Sequence, residues 1–181
     1  NHGGLRVLAG CAGFGAVLPE LLGLGGADVT RPALDPRLLV ICGSVNAITL
    51  AQLDKAEQAG FTRLRLTPHQ KLTPDYWHSA EGQAALKSIE ETLAAHPRNI
   101  IETNDAGGNE PTAAAAEALG LTREEMRVRI AGGVGQLVGA LFASPSVGTL
   151  LLTGGDTLLQ CMNSVGVHEL EPICEMERGV V

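Results

Sequence analysis

Five short apolar runs, at residues 5–9, 37–42, 61–66, 99–102 and 147–152, alternate along this chain with stretches whose apolar residues recur at helical spacing. Runs this short, rich in Leu, Val and Ile and bounded by Gly, Pro or Asn, predict buried strands. The intervening helices are predicted at residues 16–22, closed by Gly23, and at Leu50, Leu53, Ala56 and Ala59 before Gly60. A longer one covers residues 77–95, with Ala85, Ile89 and Leu93 on the side opposite Lys87, Glu90 and Glu91. An alanine-rich helix spans residues 111–119, and the capping-box pattern Thr122-Arg123-Glu124-Glu125 opens a helix over residues 124–142. The last helix runs from Leu158 to about Val165. Residues 25–35, with glycines, prolines and no periodicity, read as a linker, and the segment through Pro68 and Thr73-Pro74 reads as a polar connection.

Strands alternating with helices call for an α/β fold: a mostly parallel sheet with helices on both faces, a Rossmann-like three-layer sandwich. Right-handed crossovers then set the turns after Leu8, Cys42, Glu102 and Leu152 along one edge of the sheet. Composition changes the picture in one respect. Hydrophobic residues make up 45% but aromatics only 3%, so the core is built from Leu, Val, Ile and Ala, with glycines allowing close approach of elements. Gly132, Gly133, Gly135 and Gly139 within the helix over residues 124–142 each cost about 1 kcal/mol relative to Ala. Close clamping against another element is the expected compensation, and this helix is a candidate to lie beneath a bound ligand.

The candidate chemistry lies in the glycine turns. In Leu152-Thr153-Gly154-Gly155-Asp156-Thr157 a strand breaks into a helix start, where the first N–H groups are unpaired and the lack of a Cβ lets a ligand come close. Those are the ingredients of a phosphate cradle. Asp156 either caps that helix or faces the ligand. Gly43-Ser44-Val45-Asn46 repeats the plan; Ser44 and Asn46 suit an N-cap, and a serine hydroxyl there also suits a phosphate or ribose. Thr103, Asn104 and Asp105, at the carboxyl end of another strand, are candidate ligand contacts or part of a surface loop. The Gly10-to-Gly15 cluster lacks a dinucleotide fingerprint and a P-loop lysine, so close helix-on-strand packing suits it. His69, His78 and His96 lack ligand spacing and read as solvated surface.

A formal charge of −7 with no basic cluster disfavours nucleic acid and anionic membranes as partners. An anionic ligand would therefore depend on backbone N–H groups and one or two placed cations. Four cysteines without a Cys-x-x-Cys pair, three of them in or beside apolar runs, suggest a reducing, cytoplasmic setting. No apolar run reaches the roughly 18 residues that span a bilayer.

Residues 41–52, beginning Ile41-Cys42-Gly43-Ser44-Val45-Asn46, with Ala56-Glu57-Gln58-Ala59-Gly60-Phe61 and the later Thr153-Gly154-Gly155-Asp156-Thr157, resemble the C-terminal, nucleotide-binding half of the four-carbon acid sugar kinase family. Gly10-Cys11-Ala12-Gly13-Phe14 resembles the segment that closes the family's N-terminal half. The resemblance implies ATP-dependent phosphorylation of a hydroxyl on a threonate or erythronate, in a cleft between two α/β halves. Residues 1–27 would be the tail of the substrate-binding domain or the start of the core, and residues 37–181 the nucleotide-binding domain. Ser44, Gly154, Gly155, Asp156 and Thr157 would contact ATP, with Asp156 holding Mg²⁺ through a water or capping the helix. No residue is assigned as catalytic or as a direct metal ligand. The implied partners are the nucleotide, a sugar acid and the N-terminal domain, and a homodimer is compatible with it.

The family's Asp-Asp-x-Thr-Gly motif and its Lys-Ser-Gly-Gly-Phe-Gly stretch are not in this sequence, and no methionine precedes Met126. The chain therefore reads as a part of a longer kinase, unable to transfer phosphate alone. A competing reading is a non-catalytic module that binds a metabolite or small anion, motivated by the lack of a lysine beside the glycine turns. A dinucleotide oxidoreductase ranks third, since no strand leads into G-x-G-x-x-G.

Overall fold

The structure, a computed structural model, describes residues 9–10, 12–26, 30–174 and 176. The predicted strand at residues 5–9 lies outside them except for Ala9, as does Cys11. The chain divides into two compact units, one from residues 1–32 and 171–181 and one from residues 33–170. In the first, helix α1 (Ala12–Leu22) starts ahead of the expected residue 16, because Gly13 and Gly15 are absorbed into the helix rather than left in a loop. It stops at Gly23, whose φ of +63° a glycine adopts without a steric penalty.

The second unit holds β1 (Leu38–Cys42), α2 (Ala47–Gln58), β2 (Thr62–Arg65), α3 (Pro68–Leu72), a 3-10 turn (Tyr76–His78), α4 (Ala80–Ala95) and β3 (Arg98–Glu102). It continues with α5 (Glu110–Ala118), α6 (Arg123–Leu141), β4 (Thr149–Thr153) and α7 (Gly155–Val165). The four strands form a parallel sheet in the order β2-β3-β1-β4. Alternate residues face opposite layers, as the pleat requires. Leu39, Ile41 and Ile101 join Leu86, Ile89 and Leu93 of α4 and Val134, Leu137, Val138 and Leu141 of α6 in one core. Val40, Cys42 and Ile100 join Leu53 of α2 in the other. The result is the Rossmann-like three-layer α/β sandwich that the alternation predicts. Among the described residues no helix is long and apolar enough to cross a membrane.

Three further differences from the sequence reading each have a local reason. The supposed polar connection contains α3, whose start is fixed by a capping box: Thr67 Oγ1 accepts from the Gln70 N–H at 3.2 Å, and the Thr67 N–H donates to Gln70 Oε1 at 2.9 Å. The helix expected over residues 77–95 begins only at Ala80, because Ser79 caps it and Gly82 packs where any Cβ would meet the Tyr76 carbonyl. Trp77 thereby enters the core in the 3-10 turn, 1% exposed. Helix α7 begins at Gly155 rather than Leu158, which leaves Gly154 alone, at φ +107°, to make the turn.

The glycines of α6 explain themselves on packing. A Cβ on Gly135 would lie 2.6 Å from the Gln160 carbonyl oxygen, and one on Gly139 3.3 Å from Ser164 Cβ, so α6 and α7 run almost backbone to backbone. Gly132 faces open space.

Candidate functional site

The register brings the strand ends level: Cys42 pairs with Glu102 on one side and Thr153 on the other. The chain beyond them continues the ladder, with the Gly43 N–H donating to Thr153 O and the Thr103 N–H to Cys42 O, both at 3.0 Å. The turns after β1, β3 and β4 therefore emerge side by side. Gly43 and Gly154 touch through their backbones, since a Cβ on Gly154 would stand 3.3 Å from the Gly43 carbonyl carbon. A Cβ on Gly43 would collide with the Thr157 side chain, so the first turn of α7 sits directly on the β1 turn.

Over these turns opens a cleft of about 440 Å³. Ser44, Gly154, Gly155, Asp156 and Thr157, the five residues expected to contact a nucleotide, all line it. Its other walls are the loop after β3, the start of α5, and Met126, Arg127, Ile130 and Ala131 of α6. The base of α7 has no side-chain cap: Gly154 occupies the N-cap position, and the leading N–H groups of the helix are met by no capping side chain. A helix start of this kind carries partial positive charge.

Asp156 does not cap α7. Its carboxylate accepts from Arg127 at 2.6 Å, and Arg127 also donates to Glu124 at 2.9 Å, with the Asp156 bond contributing most to holding the guanidinium protonated. Both Asp156 and Arg127 are more than half exposed, so the pair is readily exchanged for another anion. Arg127 is the one Lys or Arg among the described residues lining the cleft. Ser44 Oγ accepts from the Asn46 N–H at 3.2 Å and Asn46 caps α2 through the Ile48 N–H at 2.9 Å, which settles the shared capping role on Asn46.

Of the three loop candidates, Thr103 and Asn104 line the cleft and Asp105 does not, and the side chains of Asn104 and Asp105 are engaged in internal bonds. Asn104 is 5% exposed; its Nδ2 donates to Ser44 O and its Oδ1 accepts from Asn109, both at 3.0 Å. Asp105 accepts from Lys71 Nζ at 2.5 Å and from the Thr112 N–H and hydroxyl at 2.9 and 2.6 Å. Burial pushes the Asp105 carboxyl up, but the bonds from Lys71 and Thr112 outweigh it and hold the group below its ordinary value. The sequence reading passed over Arg127, Lys71 and Thr112. For Arg127 the only hint was the glycine stripe on α6, which implies close packing but not which helix face meets the cleft.

His69 and His78 are largely exposed and away from the cleft, His69 beside Thr73 and Glu81. Among the described residues no group of three His, Cys, Asp or Glu side chains is placed to hold a metal ion. Cys42 and Cys161 are buried free thiols whose burial raises their pKa, Cys161 to about 11, so neither is nucleophilic near neutral pH.

Comparison with curated protein sequences gives no significant match. The fold is similar to the crystal structure of a domain of unknown function (DUF1537) from Bordetella bronchiseptica, solved with bound citrate as a domain-swapped dimer. The TM-score is 0.53 at 17% identity, and the match covers 78% of this chain and 31% of that one. This chain thus spans about a third of that protein's length. A family model described as a nucleotide-binding C-terminal domain matches residues 39–181, which take in every residue lining the cleft. The chain belongs to this nucleotide-binding C-terminal domain family, that of the four-carbon acid sugar kinases.

Proposed function

We propose that this chain is the ATP-binding portion of a kinase that phosphorylates a hydroxyl of a four-carbon sugar acid of the threonate or erythronate type. The observation that carries the reading is the uncapped start of α7 beside the Gly43-Ser44 turn, with Arg127 as a movable cation on the facing wall. Backbone N–H groups, a helix start and one guanidinium suit a triphosphate in a protein of charge −7, where the overall field opposes an anion. The apolar side chains of Met126, Ile130 and Ala131 suit the base. Residues 37–181 would form the nucleotide-binding domain and residues 1–27 the tail of a substrate domain. Mg²⁺ accompanying the phosphates fits a site with one carboxylate, Asp156, because this ion is commonly held by phosphate and water with few protein ligands.

Titrating the chain with ATP and Mg²⁺ by calorimetry tests the reading, and no heat of binding at millimolar nucleotide would remove it. Arg127→Met is expected to weaken ADP binding about tenfold, the size of one charge-assisted hydrogen bond, with little change in melting temperature. Equal affinity in the variant would take Arg127 out of the site.

Phosphoryl transfer also needs an acceptor hydroxyl held in line and a group to take its proton. Of the carboxylates nearest the cleft, Asp105 is committed to Lys71 and Thr112, and Asp156, once Arg127 turns to the phosphates, is taken up by the Mg²⁺ that accompanies them. The chain alone is therefore expected to give no acceptor-dependent ADP release with ATP, Mg²⁺ and a panel of threonates and erythronates. Turnover above a no-acceptor control would mean that the transfer machinery lies within these residues. The second reading, a metabolite-binding regulatory module, draws on the absence of any lysine from the cleft lining. Thermal stabilisation by sugar acids but not by ATP or ADP would favour it.

A further inference from the structure

We infer that Lys71 is a positioning residue of the cleft, its buried ammonium holding the β3–α5 loop in the shape that a nucleotide meets; the nucleotide part of this rests on the function proposed above. The Lys71 side chain is 0% exposed, although lysine is among the residues least often fully buried. Taking an ammonium out of water costs several kcal/mol, and an apolar side chain of similar length would fill the same space without that cost. What the ammonium adds is directional bonding: Nζ donates to Thr103 O at 2.8 Å and to Asp105 Oδ1 at 2.5 Å.

From there the bonds run on without a gap to the cleft lining. The second Asp105 oxygen fastens Thr112 at the start of α5. The Asp105 N–H donates to Asn109 Oδ1, Asn109 Nδ2 to Asn104 Oδ1, and Asn104 Nδ2 to Ser44 O, each at 3.0 Å. The other side of α3 rests on α6. The carbonyl oxygens of Lys71 and Gln70 lie 3.5 and 3.6 Å from where a Gly133 Cβ would be, and Arg129 donates to Leu72 O at 3.2 Å. Helix α6 supplies Arg127 and the apolar wall, so α3 ties together the two sides between which a ligand must fit. A preorganised site binds more tightly because ordering is not charged against binding.

The test compares the chain with Lys71→Met by hydrogen exchange and by ADP titration. A positioning role requires that amides at residues 103–112 and 44–46 exchange at least tenfold faster in the variant while those of β1 and β3 are unchanged. It also requires ADP affinity at least tenfold weaker. Uniform acceleration across the sheet, or unchanged affinity in a folded variant, overturns it, since an ion pair that only stabilises the fold would act everywhere alike. Should Lys71→Met not fold, Asp105→Asn, which keeps the side-chain size and removes the charge, is judged by the same two readings. If the parent chain binds no ADP, the proposed function falls, and the exchange pattern alone decides the role of Lys71.

Discussion

Gly155→Val is expected to lower ADP affinity a hundredfold or more while moving the melting temperature by no more than about 3 °C, since the fold tolerates a side chain there. A Cβ at Gly155 meets no atom within 4 Å, and its backbone is not in the left-handed region, so a side chain can start there without clash or backbone strain. Leaving glycine in a helix even gains a few tenths of a kcal/mol. Gly155 is the first residue of α7 and lines the cleft, so bulk added there crowds the first N–H groups of the helix. A branched side chain there removes close approach of a phosphate to those donors, and two lost charge-assisted bonds amount to about 3–6 kcal/mol. Gly154→Val is a useful contrast: at φ +107° and against Gly43 it should damage stability as well as binding. Calorimetric ADP titration beside a thermal melt reads both quantities, and an affinity within threefold of the parent would make the turn a structural feature only.

The parts of this molecule legible in the sequence are those set by local pattern. Alternating apolar runs give four strands and their helices, because β1 and the Ile100-Ile101 centre of β3 are buried on both faces and are apolar there. The meeting of the Gly43 and Gly154 turns was also within reach, since parallel strands all deliver their carboxyl ends to one edge. The order β2-β3-β1-β4 was not, because crossover length does not say which neighbour a strand pairs with. Helix α3 was hidden by its brevity: five residues are too few for a periodicity, and its capping box Thr67-Pro68-His69-Gln70 was the one local signal. Lys71, lying on that helix within what reads as a polar connection, was passed over for the same reason. Arg127 was hidden differently. The helix carrying it is evident, but which of its faces meets the cleft depends on how Gly135 and Gly139 seat it on α7, a tertiary fact.

That seating makes an opposite-signed prediction for two glycines three residues apart on α6. Gly132→Ala should raise the melting temperature by about 2–4 °C, because the alanine meets no atom within 4 Å and a helix interior gains about 1 kcal/mol on losing a glycine. Gly135→Ala receives the same propensity gain but places its Cβ 2.6 Å from Gln160 O and 2.9 Å from both Gln160 C and Ser164 Oγ. The first two are backbone atoms of α7 and cannot swing aside as a side chain would. Relief requires α7 to shift as a body, and overpacking of this kind costs about 1–3 kcal/mol, more where backbone must move. After the propensity gain the net loss of up to about 2 kcal/mol should appear as a fall of up to about 8 °C. Binding separates the two variants further. Helix α7 starts at the Gly154 turn and rests Thr157 on Gly43, so displacing it disturbs both glycine turns at once. Gly135→Ala should therefore weaken ADP binding several-fold while Gly132→Ala leaves it unchanged. Calorimetric melts and ADP titrations of the pair decide the matter: if both alanines raise the melting temperature alike, α6 and α7 are not in backbone contact, and the packing account of the glycine stripe is wrong.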